Sequence, residues 1–206
     1  MGRKKKEVLT VPNRKVLRLV LKTHNVTYSR WGRLATKTMT QLLGEIKTGE
    51  SILVRRGKKI VRVVCQAQVR IYFEHKPGKW LFLYEQCQIF ANGHRRVRKE
   101  RTVSVSEKLR AGEDALAGVV RGLSEELGLT LLHTDGFELV GAWKFYKSAS
   151  DSYPGLASEH RVTCYRLVLP IEHFNASGYA EHQKRKSTLF AWRKSRKGPN
   201  TKNPAR

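Results

Sequence analysis

Acidic residues are scarce in this sequence: 17 Asp and Glu stand against 41 Lys and Arg over 206 residues, a formal charge of +24. A field of that sign concentrates polyanions at the surface and drives salt-sensitive, sequence-blind binding. The stretch from Lys184 to the end has no acid at all, so basic, unfolded ends account for a good part of the excess. Cysteine is sparse too. Cys65, Cys87 and Cys164 are odd in number, far apart and without CxxC spacing, which excludes a zinc motif or disulfide framework and favours a reducing compartment. No apolar run exceeds strand length, so no membrane-spanning helix and no membrane partner are expected. The start, MGRKKKEVLT, lacks the apolar core of a secretory signal, and Lys6 stands where a myristoylation signal wants Ser or Thr. Cytoplasm or nucleus is the expected location. An organelle stays open, because the leading segment is basic and nearly acid-free. P-loop, GxSxG and internal repeat are all absent.

What is present suffices for one domain with extensions: 40% of residues are hydrophobic, enough for a buried core at this length. Residues 1–27 are a basic lead-in, within which VLRLVLK (16–22) fits a short strand or a short helix equally. From Ser29 the apolar positions Trp31, Leu34, Ala35, Met39, Leu42, Leu43 and Ile46 recur at helical spacing. Ser29 is the expected N-cap and Gly49 the stop. This helix and the following hairpin make an extension over 28–65. SILVRR and KIVRVV then flank Gly57, QVRIYFE leads through HKPGK to WLFLYEQCQIF, and Asn92-Gly93 predicts a type I′ hairpin. Basic hairpins fall at Arg55–Lys59 and His94–Arg101. The order of strands, loop, helix and further strands makes a mixed α/β chain.

The segment from Glu107 to Leu129 organises the rest. Leu116, Val119, Val120, Leu123 and Leu127 form one apolar stripe of an amphipathic helix, and Gly128 ends it as a left-handed stop. Glu125 and Glu126 project away from the stripe, with Arg121 one turn before Glu125. Adjacent carboxylates beside a buried helix face suit a hard divalent cation. Downstream, Leu139, Gly141, Trp143 and Phe145 share one strand face, and Trp143 and Phe145 are expected to pack on the stripe. The polar loop 147–160, with Tyr153 in it, has the length of a functional or mobile segment. From Lys184 a basic tail follows, whose Leu189, Phe190 and Trp192 are suited to docking and whose residues 193–206 are expected to be disordered.

The spacing in the central segment resembles the Nudix box, G-x5-E-x7-R-E-U-x-E-E-x-G-U, with U a bulky aliphatic residue. Glu113, Arg121, Leu123, Glu125, Glu126, Gly128 and Leu129 match. Two positions depart: Glu107 stands at the first glycine, and Gly122 at the first helix glutamate. SVSEKLRAGE, RGLSEELG and SYPGL together resemble a divergent Nudix-like group of plant and algal proteins in which that glutamate is commonly absent. The resemblance covers residues 66–192.

It implies an α/β/α sandwich around a mixed sheet and a magnesium- or manganese-dependent hydrolase that cleaves a nucleoside diphosphate joined to another moiety. Implied site residues are Glu125, Glu126 and Arg121 for catalysis, the arginine mainly structural, with Glu113, Glu125 and Glu126 as metal ligands. Glycine at 122 reads first as drift in a box released from catalysis, second as a notch for close approach. Glu107 offers a replacement carboxylate, and Asp151 and Glu159 are further candidates for a base. Two functions remain open here. One is the hydrolase acting on a nucleotide-type substrate; the other is a catalytically silent module that binds nucleotide or RNA through its basic surface.

Overall fold

The computed structural model describes residues 7–33, 36–97, 102–131, 133–134, 136–196 and 198–199. Leu34 and Ala35, residues 98–101 of the second basic hairpin, residues 1–6 of the basic lead-in and most of 193–206 lie outside these. The described residues form two compact units. The first takes in the chain up to Gln66 with Lys108–Glu113 and Ala142–Val162; the second comprises Ala67–Glu107, Asp114–Gly141 and the chain from Thr163.

The first unit begins with β1 (Glu7–Val8), paired antiparallel with β2 (Ile52–Arg56), which pairs in turn with the opening of β3 (Lys59–Lys76). The segment that fitted strand or helix is helix α1 (Arg14–Thr23). Asn13 caps it by accepting the Val16 N–H at 3.0 Å, and Leu17 and Leu21 are fully buried.

Helix α2 (Met39–Lys47) starts nine residues later than the apolar spacing predicts. Thr38 and Gln41 form a reciprocal capping box there, which satisfies two otherwise unpaired N–H groups. Ser29 is not the cap, because the preceding segment is held elsewhere. Gly32 takes a left-handed φ of 79°. The Trp31 indole donates to the Pro154 carbonyl at 2.8 Å and meets the Tyr153 ring edge-on at 5.0 Å.

Tyr153 is therefore core. It is fully buried and packs with Val11, Leu17, Leu21, Met39 and Leu42. The loop expected over 147–160 is correspondingly shorter and tighter: Ser150 N–H donates to Leu156 O at 2.8 Å, and strand β8 (Ala157–Val168) starts directly after.

This unit also buries charge. The Glu45 carboxylate of α2 meets Arg62 at 2.6 Å, Lys37 at 2.6 Å and Lys108 at 2.7 Å, and accepts the Ser51 hydroxyl. Burial alone would raise its pKa, but Arg62, Lys108 and Lys37 together hold it far below the ordinary carboxylate range.

In the second unit β3 continues to the Pro77-Gly78 turn and pairs with β4 (Lys79–Phe90). A three-residue loop leads to β5 (Arg95–Val97), antiparallel to β4. The Asn92-Gly93 hairpin is present, yet only Gly93 has positive φ, 79°. The turn is thus the three-residue form closed by a left-handed glycine, not type I′. Then come β6 (Val105–Lys108), helix α3 (Ala115–Leu127), β7 (Phe137–Lys147) and β8, which pairs with both β3 and β7.

After a 3₁₀ turn at Ile171–His173 the chain forms β9 (Tyr179–Gln183) and β10 (Lys186–Ser195). The basic stretch from Lys184 reads as a tail, but β10 is an inner strand between β4 and β9. Phe73 stacks on Phe174 at 3.8 Å, and Trp192 lies 5.3 Å from Phe174 while donating to Asn175 O. Strand β7 corrects another expectation. Leu139 is 59% exposed and Phe145 40%, so the alternating face read as core is open to solvent at both ends, and Phe145 lies flat on His160 instead, 4.7 Å between centroids.

Candidate functional site

Helix α3 sets the frame. Asp114 caps it, its Oδ1 accepting N–H groups of Leu116 at 2.8 Å and Ala117 at 3.2 Å. Val119, Leu123 and Leu127 are buried with Gly118 and Gly122. Gly128, at φ 67°, turns left-handed and returns its N–H to Leu123 O and Ser124 O, which closes the helix. With that face anchored, Arg121 and Glu125 stand one turn apart on the same side, and Arg121 Nη1 reaches Glu125 Oε2 at 3.3 Å. Glu126 is half-buried on the next position.

Strand β6 brings the decisive neighbour. Val105 is buried, and two residues on, Glu107 Oε2 accepts from the same Arg121 Nη1 at 3.1 Å. A Cβ built on Gly122 would lie 2.4 Å from Glu107 Cγ and 3.1 Å from Val105 Cγ1. Position 122 has no room for any side chain while Glu107 stays where it is. Of the two readings for this glycine, drift or notch, the geometry is that of the notch, and the Glu107 side chain fills it. The two departures from the box pattern therefore touch each other. A signal for this was present in the sequence: measured against the box pattern, glycine and glutamate stand at each other's positions, 122 and 107.

The remaining candidates are placed as follows. Glu113 belongs to the first unit, where its Oε2 accepts the Arg110 N–H at 2.8 Å. Asp151, in the same unit, is largely exposed and pairs with Lys147 at 2.6 Å. Glu159 is buried between Arg56 and Arg161. Burial works against its charge, but hydrogen bonds from Arg161 and Arg56 prevail and hold its carboxyl below the usual range. Glu159 so engaged anchors its own unit, while Asp151 stands in solvent beside Lys147. His160 hydrogen-bonds Gln66 at 2.9 Å and Ser158 at 3.1 Å. Its pKa is lowered, first by burial and then by Arg62 and Lys147, so it stays neutral under Phe145.

Among the described residues no three or more His, Cys, Asp and Glu side chains gather into a group able to hold a metal ion. Glu107 and Glu125, held at Arg121, are hard oxygen donors. Magnesium bound through one or two carboxylates and completed by substrate phosphates and water fits this donor set. The fit is to a cation that arrives with an anionic substrate.

The chain matches no protein-family model and no curated protein. Solved structures that it resembles include the following three. With the Ap4A hydrolase of C. elegans it shares 17% identity over 63% of this chain and 79% of that one, TM-score 0.34. For the NUDIX domain of Shewanella oneidensis NrtR complexed with ADP ribose the values are 11%, 62% and 70%, TM-score 0.33. For a MutT/nudix family protein from Enterococcus faecalis they are 12%, 63% and 43%, TM-score 0.34.

Proposed function

We propose that this chain is a Nudix-type hydrolase that cleaves a nucleoside diphosphate joined to a further group, with Glu107 supplying from a strand the carboxylate its box helix lacks. The observation that carries the reading is the exchange between positions 107 and 122. The box places a carboxylate on the helix and a glycine on the segment before it; here the glycine is on the helix, the carboxylate precedes it, and the side chain occupies the vacated space beside Arg121. A box released from function has no reason to lose a charge at one position and regain it at the position in contact.

The division of labour follows from the geometry. Glu107 and Glu125 form an anionic rim, with Glu126 on the adjacent helix position, and Arg121 holds the first two in register while lowering their mutual repulsion. A diphosphate cannot approach such a rim unless a cation stands between. Magnesium or manganese, bound with the substrate, would supply that bridge, polarise the phosphoryl oxygens and lower the pKa of the attacking water. Gly122 keeps the helix surface low, so Glu107 reaches the rim from the side. In-line attack then needs positioning more than covalent chemistry from the protein.

The test is turnover of a panel of nucleotide sugars, dinucleoside polyphosphates, coenzyme A and NADH with magnesium or manganese. Glu126→Gln and Glu107→Gln are each expected to reduce it at least 100-fold. Turnover indifferent to both changes would refute the reading. The silent-module alternative has one observation in its favour, the engagement of Glu107 and Glu125 by a single guanidinium. It predicts nucleotide binding with no turnover of any panel member.

A further inference from the structure

A second feature lies wholly within the second unit. The register of three neighbouring strands sets Tyr72 of β3 opposite Phe82 of β4, and Phe82 opposite Arg193 of β10. The Tyr72 and Phe82 rings are 5.4 Å apart. The Arg193 guanidinium lies 5.1 Å from the Phe82 centroid and 5.0 Å from that of Tyr84. Arg70 shares the Tyr72 face by strand alternation, and its Nε is buried with no hydrogen-bond partner among the described residues. Together with Thr102, Lys194 and Arg196 these side chains surround an open cleft of about 250 Å³. Four cations line it, and among the described residues no carboxylate does. Glu74, the next acid along β3, is occupied in the hairpin, where it accepts the Gly78 N–H at 2.7 Å.

A buried guanidinium N–H without an acceptor is costly, and an oxyanion in the cleft relieves it. The planar fork of Arg70 matches phosphate geometry. The volume is below the range that encloses most of a drug-sized ligand, so a phosphate with part of its sugar fits and the remainder must lie outside. A positively charged groove edged with aromatic rings is the composition used for single strands of nucleic acid. A backbone must also bend to enter a cleft, which a duplex resists.

We propose that this cleft binds the phosphodiester backbone of a single-stranded nucleic acid. The site continues along the hairpin end of the same strands. Ser195 pairs with Trp80 there, and Lys76 pairs with Lys79, so further cations follow Arg196 along the strand ends. This assignment stands apart from the hydrolase reading and uses none of its residues.

The experiment is fluorescence anisotropy with a labelled oligouridylate of about 12 nucleotides, within the span one such site covers, over a salt series. Lys194→Ala/Arg196→Ala, both exposed, should weaken binding about tenfold and flatten the log K against log salt slope by about 1 to 2. Arg70→Gln should weaken it similarly. Lys15→Ala/Lys22→Ala on α1 removes equal charge and should cost about twofold or less. Equal losses and slopes for the two double variants would overturn the proposal, since charge anywhere would then suffice. Tighter binding of a matched duplex, or competition by uridine monophosphate as strong as by the oligomer, would also overturn it. If Arg70→Gln fails to fold, the exposed pair still decides.

Discussion

Replacing Gly122 by alanine tests the filled notch by the sign of its effect. In an ordinary helix interior the change stabilises by about 1 kcal/mol. Here the new Cβ would lie 2.4 Å from Glu107 Cγ, well inside the separation of about 3.5–4.0 Å at which carbons rest. Glu107 must swing away and give up its bond to Arg121, made where both side chains are about one-fifth exposed. A hydrogen bond to a charged group contributes roughly 1.5–3 kcal/mol, so Gly122→Ala should destabilise the protein by about 1–2 kcal/mol. With Glu107→Ala already present, the obstructing Cγ is gone and the same change should stabilise by about 1 kcal/mol. The cycle therefore predicts a coupling of about 2–3 kcal/mol, far above the few tenths by which independent sites depart from additivity. Urea denaturation of the four proteins, read at constant m, measures it. Stabilisation by Gly122→Ala in both backgrounds would show that Glu107 does not fill the notch, and the relocated-carboxylate argument would fall with it.

Glu45→Ala should cost about 3–5 kcal/mol, because it leaves Arg62 buried without its main partner. Since the Glu45 carboxyl is held far below its ordinary value of 4.5, its contribution is present above that pH and drains away as pH falls toward the folded value; Glu45→Gln should flatten the acid limb of the stability curve. Gly178→Ala sets a Cβ 2.0 Å from the Phe190 carbonyl at a φ of 81°, a backbone collision no rotamer relieves, and Tm should drop by roughly 5 °C or more. Magnesium alone should leave Tm unchanged within about a degree, whereas magnesium with a non-hydrolysable nucleoside diphosphate analogue should raise it. A rise with magnesium alone would mean that the protein holds the ion without substrate.

Much of the fold could be read from local signals. Helix α3 carries its own punctuation in the apolar stripe and Gly128, and both are seen in place, while the Asp114 cap emerges only in the structure. Strands β2 to β4 were legible from alternation and turn residues. Helix α2 was misplaced at its start because the tie from Trp31 to Pro154 spans the sequence, while the Thr38–Gln41 box, a signal within four residues, was there to be used. The exposed face of β7 and the inner position of β10 depend on which strands pair, and alternation carries no such information. On α3, the one-turn placement of Arg121 beside Glu125 was legible from helical spacing. The contact between 107 and 122 and the alignment of Tyr72, Phe82 and Arg193 arise only when separate strands are laid side by side.

The pair at 107 and 122 has an evolutionary corollary. A glutamate placed at 122 alone would be driven into Glu107; a glycine placed at 107 alone would strip Arg121 of a carboxylate and leave a hole beside the helix. Either change by itself passes through a weakened protein, so the arrangement behaves as a ratchet. Descendants of this chain are expected to keep the glutamate and the glycine together or to lose both.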